Sequence, residues 1–299
     1  MFWSKPMKQS LFKFLMVGML TLCGSAHAVT CSINVTSVPL STLYVSGAPT
    51  NITGTVSGSC IKQAGDAARP YIYIGINQGE PPAGRAMTRQ NGLQLLNYQI
   101  YKANFTTGIW SETTGSTSTT VTGGFLYRMA NNNTAQTFNY PYYLSIPTPQ
   151  AAAPAGIYDD LAIIATIRLS DNNGLSTGAI LGTAAFGASA SIPNSCYFST
   201  SPSSLVLNYT SFTGTAVTGN STFALSCTFN SSYTLAIGPA ATGSALDINY
   251  TLALSAASGI GTAAPQNFTV TGTAAANQAG TCASSTCSAT NAHTITVTF

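Results

Sequence analysis

The sequence predicts an all-β protein of two tandem β-sandwich domains, and three observations carry that prediction. Short β-rich runs separated by Gly, Pro, Asn and Ser follow one another along the chain, and no helical period appears beyond the N-terminal segment. The runs come twice in one order: "CSINV", "GTVSGSC", "YIYIG", "LLNYQIY" and "GIYDDLAIIATIRL" are answered by "CYFST", "STFALSC", "YTLAIG", "DINYTLAL" and "HTITVTF". Cysteines open and close the first pair of runs in each half, at Cys31 and Cys60 and again at Cys196 and Cys227. An internal repeat of this kind is one module used twice.

The N-terminus, "MFWSKPMKQSLFKFLMVGMLTLCGSAHA", places Lys5, Lys8 and Lys13 before an apolar run from Phe14 to Cys23 and ends in Ala26-His27-Ala28. The apolar run is too short to span a bilayer, so residues 1–28 read as an export signal cut before Val29. Cys23 does not mark a lipoprotein, because Leu22 stands where such signals require a small residue. The mature chain, about 270 residues, fits two domains of ordinary size. Six of its seven cysteines survive the cut, an even number in an oxidising compartment. Their spacing pairs Cys31 with Cys60, Cys196 with Cys227 and Cys282 with Cys287. Each of the two longer loops is worth roughly 3 to 4 kcal/mol in loop-closure entropy, while the short third bridge pins a turn.

Charge excludes several function classes. The signal removes three of the ten basic residues, which leaves seven against seven acidic ones. A mature chain near neutrality offers no field for nucleic acid or an acidic membrane surface. From Cys196 onward Asp247 is the only ionised acidic or basic side chain. With aromatics at 10%, so uncharged a chain is a folded β protein rather than a disordered one.

Strands are expected near residues 51–60, 70–78, 93–102, 136–146, 157–169 and 178–192 in the first half. The last of these decides the organisation. In "GTAAFGASASIPNSC", Ala184, Phe186, Ala188, Ala190 and Ile192 alternate onto one side of an extended chain that leads into Cys196. No such strand precedes Cys31. The expected domains are therefore 29–192, completed by its own strand at 182–192, and 193–299.

The order of the signals carries a resemblance. The cysteines about thirty residues apart, Arg85-x-Met87 before a Leu-x-Tyr strand, Trp110 after it and "AGIYDDLAIIATI" resemble a spore coat U domain, the building block of archaic chaperone-usher pili of the Csu type. The second half resembles it more loosely, lacking the Trp and adding the Cys282–Cys287 pair. The resemblance implies two immunoglobulin-like, pilin-type sandwiches, the second missing its final strand. In such pilins a donor strand from the next subunit fills the gap, with backbone hydrogen bonds and alternate side chains holding it. It also implies a periodic set of partners: a periplasmic chaperone, an outer-membrane usher and a neighbouring pilin. A mature chain beginning at Val29 has no strand to donate, which is the design of a two-domain tip adhesin at the cell surface. The alternatives are a structural or adaptor pilin within the fibre and a secreted carbohydrate-binding sandwich. Ile295, Val297 and Phe299, on one face of the last run, are the expected subunit contact.

Chemistry is weighed last. His293 is the only imidazole of the mature chain, Asp159 and Asp160 point to opposite faces of a strand, and no phosphate-binding loop precedes a helix. No catalytic residue, cofactor or metal is expected, and Asp159-Asp160 read as a turn-to-strand junction. The Asn-x-Ser/Thr triplets at Asn34, Asn104, Asn208 and Asn267 are chance products of composition. Strand parity puts loops 61–69, 103–135 and 170–177 at the end away from the second domain. Within them Phe105, Ile109, Trp110 and Leu175, with Ile180 and Leu181 just after the last loop, are the candidate surface contacts, abiotic or host. Trp110 carries a core reading as well, since it matches a tryptophan general to the resembled family.

Overall fold

The computed structural model describes residues 29–39, 42–44, 48–66, 69–77, 84–112, 123–170 and 178–299. The expected signal segment and Leu175 lie outside these residues. No helix occurs among them.

The first half forms nine strands: β1 (Thr30–Val35), β2 (Thr50–Ile61), β3 (Tyr71–Ile76), β4 (Arg85–Arg89), β5 (Leu95–Tyr101), β6 (Phe125–Arg128), β7 (Gln136–Ile146), β8 (Gly156–Ser170) and β9 (Ile180–Ile192). The second half forms β10 (Cys196–Thr200), β11 (Val217–Cys227), β12 (Ser232–Gly238), β13 (Thr242–Ala245), β14 (Ile248–Leu254), β15 (Ser258–Ile260), β16 (Gln266–Ala274) and β17 (Thr294–Thr298). Among the described residues no strand of one half pairs with a strand of the other. Each half also has its own apolar cluster, one between Val29 and Ile192 and one between Cys196 and Val297.

The two halves match strand for strand. Ladder order β1-β2-β7-β5-β4 is repeated as β10-β11-β16-β14-β13, and β8-β3-β6 is repeated as β17-β12-β15. Only β9, which pairs with β8, has no counterpart. Sequence reading marked β1 as the run "CSINV", located six further first-half strands and missed β4 and β6, which are five and four residues long. Strands so short carry too few residues to display an alternation.

All three expected disulfides are present. Cys31 faces Cys60, and Cys196 faces Cys227, directly across the β1–β2 and β10–β11 ladders.

A second repeated device has no signature in the sequence. In the first half Tyr44 OH accepts the Gln150 amide at 3.1 Å, while the Gln150 side chain accepts from Asn97 N at 2.6 Å and donates to Asn97 O and Pro147 O at 2.9 and 3.0 Å. In the second half Tyr209 OH accepts the Gln278 amide at 2.8 Å, and the Gln278 side chain binds Asn249 N, Asn249 O and Ala275 O at 2.7, 2.9 and 3.0 Å. One side chain thus joins the loop after β7 or β16 to the edge of β5 or β14. Tyr44 and Tyr209 stand at the same distance after Cys31 and Cys196. The match fixes the correspondence between halves at single-residue resolution: Tyr98 with Tyr250, and Ile146 with Ala274.

Replacing Gln278 by Ala removes three hydrogen bonds, each worth about 0.5–1.5 kcal/mol net. We expect a loss of roughly 1–3 kcal/mol in a denaturant titration of the mature chain, confined to the transition of the second half, and Gln150→Ala should move the other transition instead. An unchanged midpoint for both would show that the clamp is not a stabilising element.

Candidate functional site

Two regions are candidates: the place beside β17, and the loop end of the first half.

In the first half β9 runs antiparallel to β8 over eleven paired positions, from Gly156↔Ile192 to Arg168↔Ile180. Its inward side chains Phe186, Ala188, Ala190 and Ile192 are all buried. The segment after β1 leaves β2 at Thr36, whose amide bonds Thr55 O, and crosses to β9: Val38 N donates to Gly187 O at 2.9 Å and Tyr44 N to Ser191 O at 2.9 Å. A parallel bridge joins Leu43 to Ser191. The strand β9 therefore lies between β8 and the leading segment, and closes the sandwich.

The second half lacks that closure. Ser203, the counterpart of Val38, keeps its amide on β11 through Thr222 O at 3.2 Å. β17 is hydrogen-bonded to β12 alone and ends its three-stranded sheet. Register aligns Ile295 with Ala165 and Val297 with Ile167, because Ile237 and Leu235 face the former as Ile76 and Ile74 face the latter. Ala165 and Ile167 are fully buried beneath β9. Ile295 and Val297 are only half-buried, and Phe299 is 52% exposed. On the far side Phe198 is 37% exposed although its ring meets Phe223 edge to face. Phe198, Leu205, Ile295 and Val297, all partly exposed, border the side of the second half that has no counterpart of β9.

The interior beneath this place differs between halves. Tyr98 OH donates to Asp160 Oδ2 at 2.6 Å, and the buried Arg85 guanidinium lies beside them, one NH2 group reaching Ile76 O at 3.4 Å. Burial pulls the Arg85 pKa down and pushes the Tyr98 phenol up. Asp160 points inward, while Asp159 points out to Gln90 Nε2 at 2.6 Å. Both lie inside β8, not at a turn-to-strand junction as the sequence suggested, because β8 begins three residues earlier. In the second half Tyr250 OH meets His293 Nε2 at 2.9 Å and accepts from Asn291 Nδ2 at 2.8 Å. His293 is thus a structural partner of Tyr250 in the position that Asp160 holds toward Tyr98. No group of three or more metal-binding side chains occurs among the described residues.

At the loop end, ladder registers gather Ile61, Tyr71, Gln136, Ser170 and Ile180, as strand parity required. The stretch "NFTTGIW" is a tight hairpin: Lys102 N donates to Gly108 O at 2.7 Å and Trp110 N to Ile100 O at 2.9 Å. Asn104 Oδ1 shapes its tip by accepting from Thr106 N and Thr107 N, both at 2.9 Å. Phe105 is half-buried, edge to face with Tyr143 at 5.3 Å, and Ile109 is half-buried on the inner arm. Trp110 is a correction to the contact list: it is completely buried, its Nε1–H donates to Ile74 O at 3.1 Å, and Phe125 packs against its face. Ile180 is 55% exposed, whereas Leu181 leans on the core. The exposed and half-exposed apolar set at this end is therefore Phe105, Ile109 and Ile180.

Residues 19–165 match the family model described as Spore Coat Protein U domain. The matched residues lie in the first half of the chain, where the sequence resemblance was stronger. No curated protein matches in sequence. Among solved structures, the CsuC–CsuE chaperone–tip adhesion subunit pre-assembly complex of Acinetobacter baumannii is 12% identical, with 90% of this chain and 99% of that chain covered and a TM-score of 0.42. The CupB6 tip adhesin from Pseudomonas aeruginosa is 12% identical, with 90% and 95% covered and a TM-score of 0.41. A chaperone–tip adhesin complex of CFA/I fimbriae is 12% identical, with 92% and 85% covered and a TM-score of 0.27. Scores this low assign no role to the chain.

Truncating Phe186 to Ala removes a buried plug that also packs on Tyr142, and should destabilise the first half by about 3–5 kcal/mol. Ile180→Ser, on the exposed start of the same strand, should cost no more than about 0.5 kcal/mol. Thermal unfolding of both variants beside the parent checks the contrast; equal effects would mean that β9 is not a core strand.

Proposed function

We propose that the protein is the tip adhesin subunit of an archaic chaperone-usher pilus, with 29–192 as the adhesive domain and 193–299 as the pilin domain that attaches it to the fibre. The observation that carries this reading is the strand-for-strand repeat in which one copy has its closing strand and the other does not. A sandwich with an apolar channel and an unpaired edge is completed by an added strand from outside, held by main-chain hydrogen bonds along β17 and by side chains in the channel. Ile295, Val297 and Phe299 line that contact. A periplasmic chaperone would supply the strand first, an outer-membrane usher would receive the complex, and a neighbouring pilin would replace the chaperone.

The tip position is supported by the first domain, which carries its closing strand in the same chain and needs none from a neighbour. Such a protein is exported through the periplasm and displayed at the cell surface. Its role is attachment and biofilm initiation, not catalysis.

Adhesion is assigned to the loop end. A single exposed Ile or Phe supplies roughly 1.5 to 3 kcal/mol on contact with an apolar surface, before association costs. Many pili on one cell raise the total through avidity. Abiotic, hydrophobic surfaces suit this arrangement, since Phe105, Ile109 and Ile180 offer apolar area at this end. Leu175, in the adjoining loop, belongs to the same proposal.

Changing Phe105, Ile109 and Ile180 together to Ser should leave the number of pili per cell, counted by electron microscopy, within the parental range while attachment to polystyrene collapses. Normal pili with undiminished attachment would reject the hydrophobic grip at these residues.

A further inference from the structure

The loops after β7 and β16 carry the same clamp, Gln150 in one and Gln278 in the other, but they meet different surroundings. The first of them, residues 147–155, lies at the junction between the halves. Its Gln150, Ala151 and Ala153 border a small cavity of about 80 Å³ together with Ser226, Thr228 and Phe229 of the second half. Ala153 and Ser226 are both buried, and Ser226 stands beside Cys227 at the end of β11. The link between the halves is tied down next to this contact. Ser195 N donates to Thr228 Oγ1 at 3.2 Å, Thr228 Oγ1 to Pro193 O at 3.1 Å, and Ser231 Oγ to Asn194 Oδ1 at 2.8 Å. The loop after β7 thus laps onto the domain that follows it, beside the second cysteine of that domain.

The matching loop of the second half runs over residues 275–293, nineteen residues against nine, at the end of its domain away from the first half. It is held at its root and at its tip. Asn277 N donates to Thr213 O at 2.8 Å, Thr281 N to Leu246 O at 2.9 Å, and Asn291 Nδ2 to Ser244 O at 2.7 Å. Between the last two anchors the Cys282–Cys287 bridge closes a ring, inside which Ser284 Oγ donates to Thr286 O at 2.6 Å. Neither cysteine belongs to the apolar cluster of this half, and every residue from Thr281 to Ala292 is exposed. The bridge therefore shapes a surface rather than a core. A surface fixed in shape beforehand loses less conformational freedom on association.

We propose that the bridged loop, residues 281–292, is a docking surface for a neighbouring pilin-type subunit, and that it laps onto that subunit beside its second cysteine as the loop after β7 laps onto Ser226 and Thr228. The matching face of the partner is uncharged and built of small or hydroxyl side chains, because the loop offers Ala, Ser, Thr and Asn and no Lys, Arg, Asp or Glu. This contact is separate from the one along β17. It sets the angle between the two domains, the part that the lapping loop and the pinned Pro193–Ser195 link play between the halves. The inference rests on the proposed place of the protein in a fibre.

Photo-crosslinking in assembled pili tests it. In cells that make pili, p-benzoylphenylalanine replaces Ser285 or, in a reference version of the full chain, Phe299 beside β17. Pili are irradiated, sheared off and purified, and crosslinked peptides are mapped by mass spectrometry. The version altered at 285 should join a neighbouring pilus subunit within a few residues of that subunit's second cysteine. A crosslink from 299 with none from 285, or one from 285 to a place remote from that cysteine, overturns the docking surface and leaves the strand contact intact. Crosslinks from neither position, or pili that lack the protein, mean that the proposed function fails and the docking surface with it. Adding Cys282→Ser and Cys287→Ser to the version altered at 285 should lower the crosslinked fraction several-fold while the thermal transitions of the purified chain stay in place. An undiminished fraction overturns the role given to the bridge.

Discussion

A β-sandwich whose two layers are joined by hydrogen bonds on every side but one has an apolar channel along the uncovered side, and water cannot satisfy that channel. The rest of this structure depends on how each half deals with that constraint. In the first half β9 covers it, taking hydrogen bonds from β8 on one side and from Val38 and Tyr44 on the other. In the second half the leading segment stays on β11 at Ser203, β17 keeps a free edge, and half-buried Ile295 and Val297 face the gap. An asymmetry in one strand thus distinguishes the two copies of a repeated module: the first carries a strand beside β8, and the second leaves β17 at the end of its sheet.

The interior records the same asymmetry. The first half affords a buried cation because Tyr98 and Asp160 accompany Arg85 and β9 shuts water out above them. The second half has neither a guanidinium nor a carboxylate in that position: Gly243 replaces the arginine, and Tyr250 meets His293 and Asn291 instead of a carboxylate. The disulfides act at the other margin, tying the first two strands of each half across directly opposed ladder positions and so fixing one wall before the groove is closed.

Much of this was legible in the sequence. The alternation in 182–192 identified the closing strand because one buried face and one outer face impose a period of two, and cysteine spacing gave the three bridges. What was hidden depends on tertiary geometry. The interior place of Trp110 was one of its two sequence readings, but that Phe105, a few residues before it, is half-exposed depends on side-chain direction in the hairpin. The clamp by Gln150 and Gln278 uses residues with no motif around them, and only the three-dimensional contacts with Asn97 and Asn249 distinguish them from other surface glutamines. Asp159 and Asp160 were read correctly as pointing apart but were assigned to a turn-to-strand junction, whereas they lie three and four residues past the start of β8 at Gly156.

Amide hydrogen exchange on the mature chain in dilute solution measures the asymmetry directly. The amides of β17 that point away from β12 should exchange at rates near those of open loops, while the amides of β8 that face β9 should be protected to the stability of the whole first half. Protection of β17 equal to that of β8, in a chain shown to be monomeric and without a partner, would contradict the account.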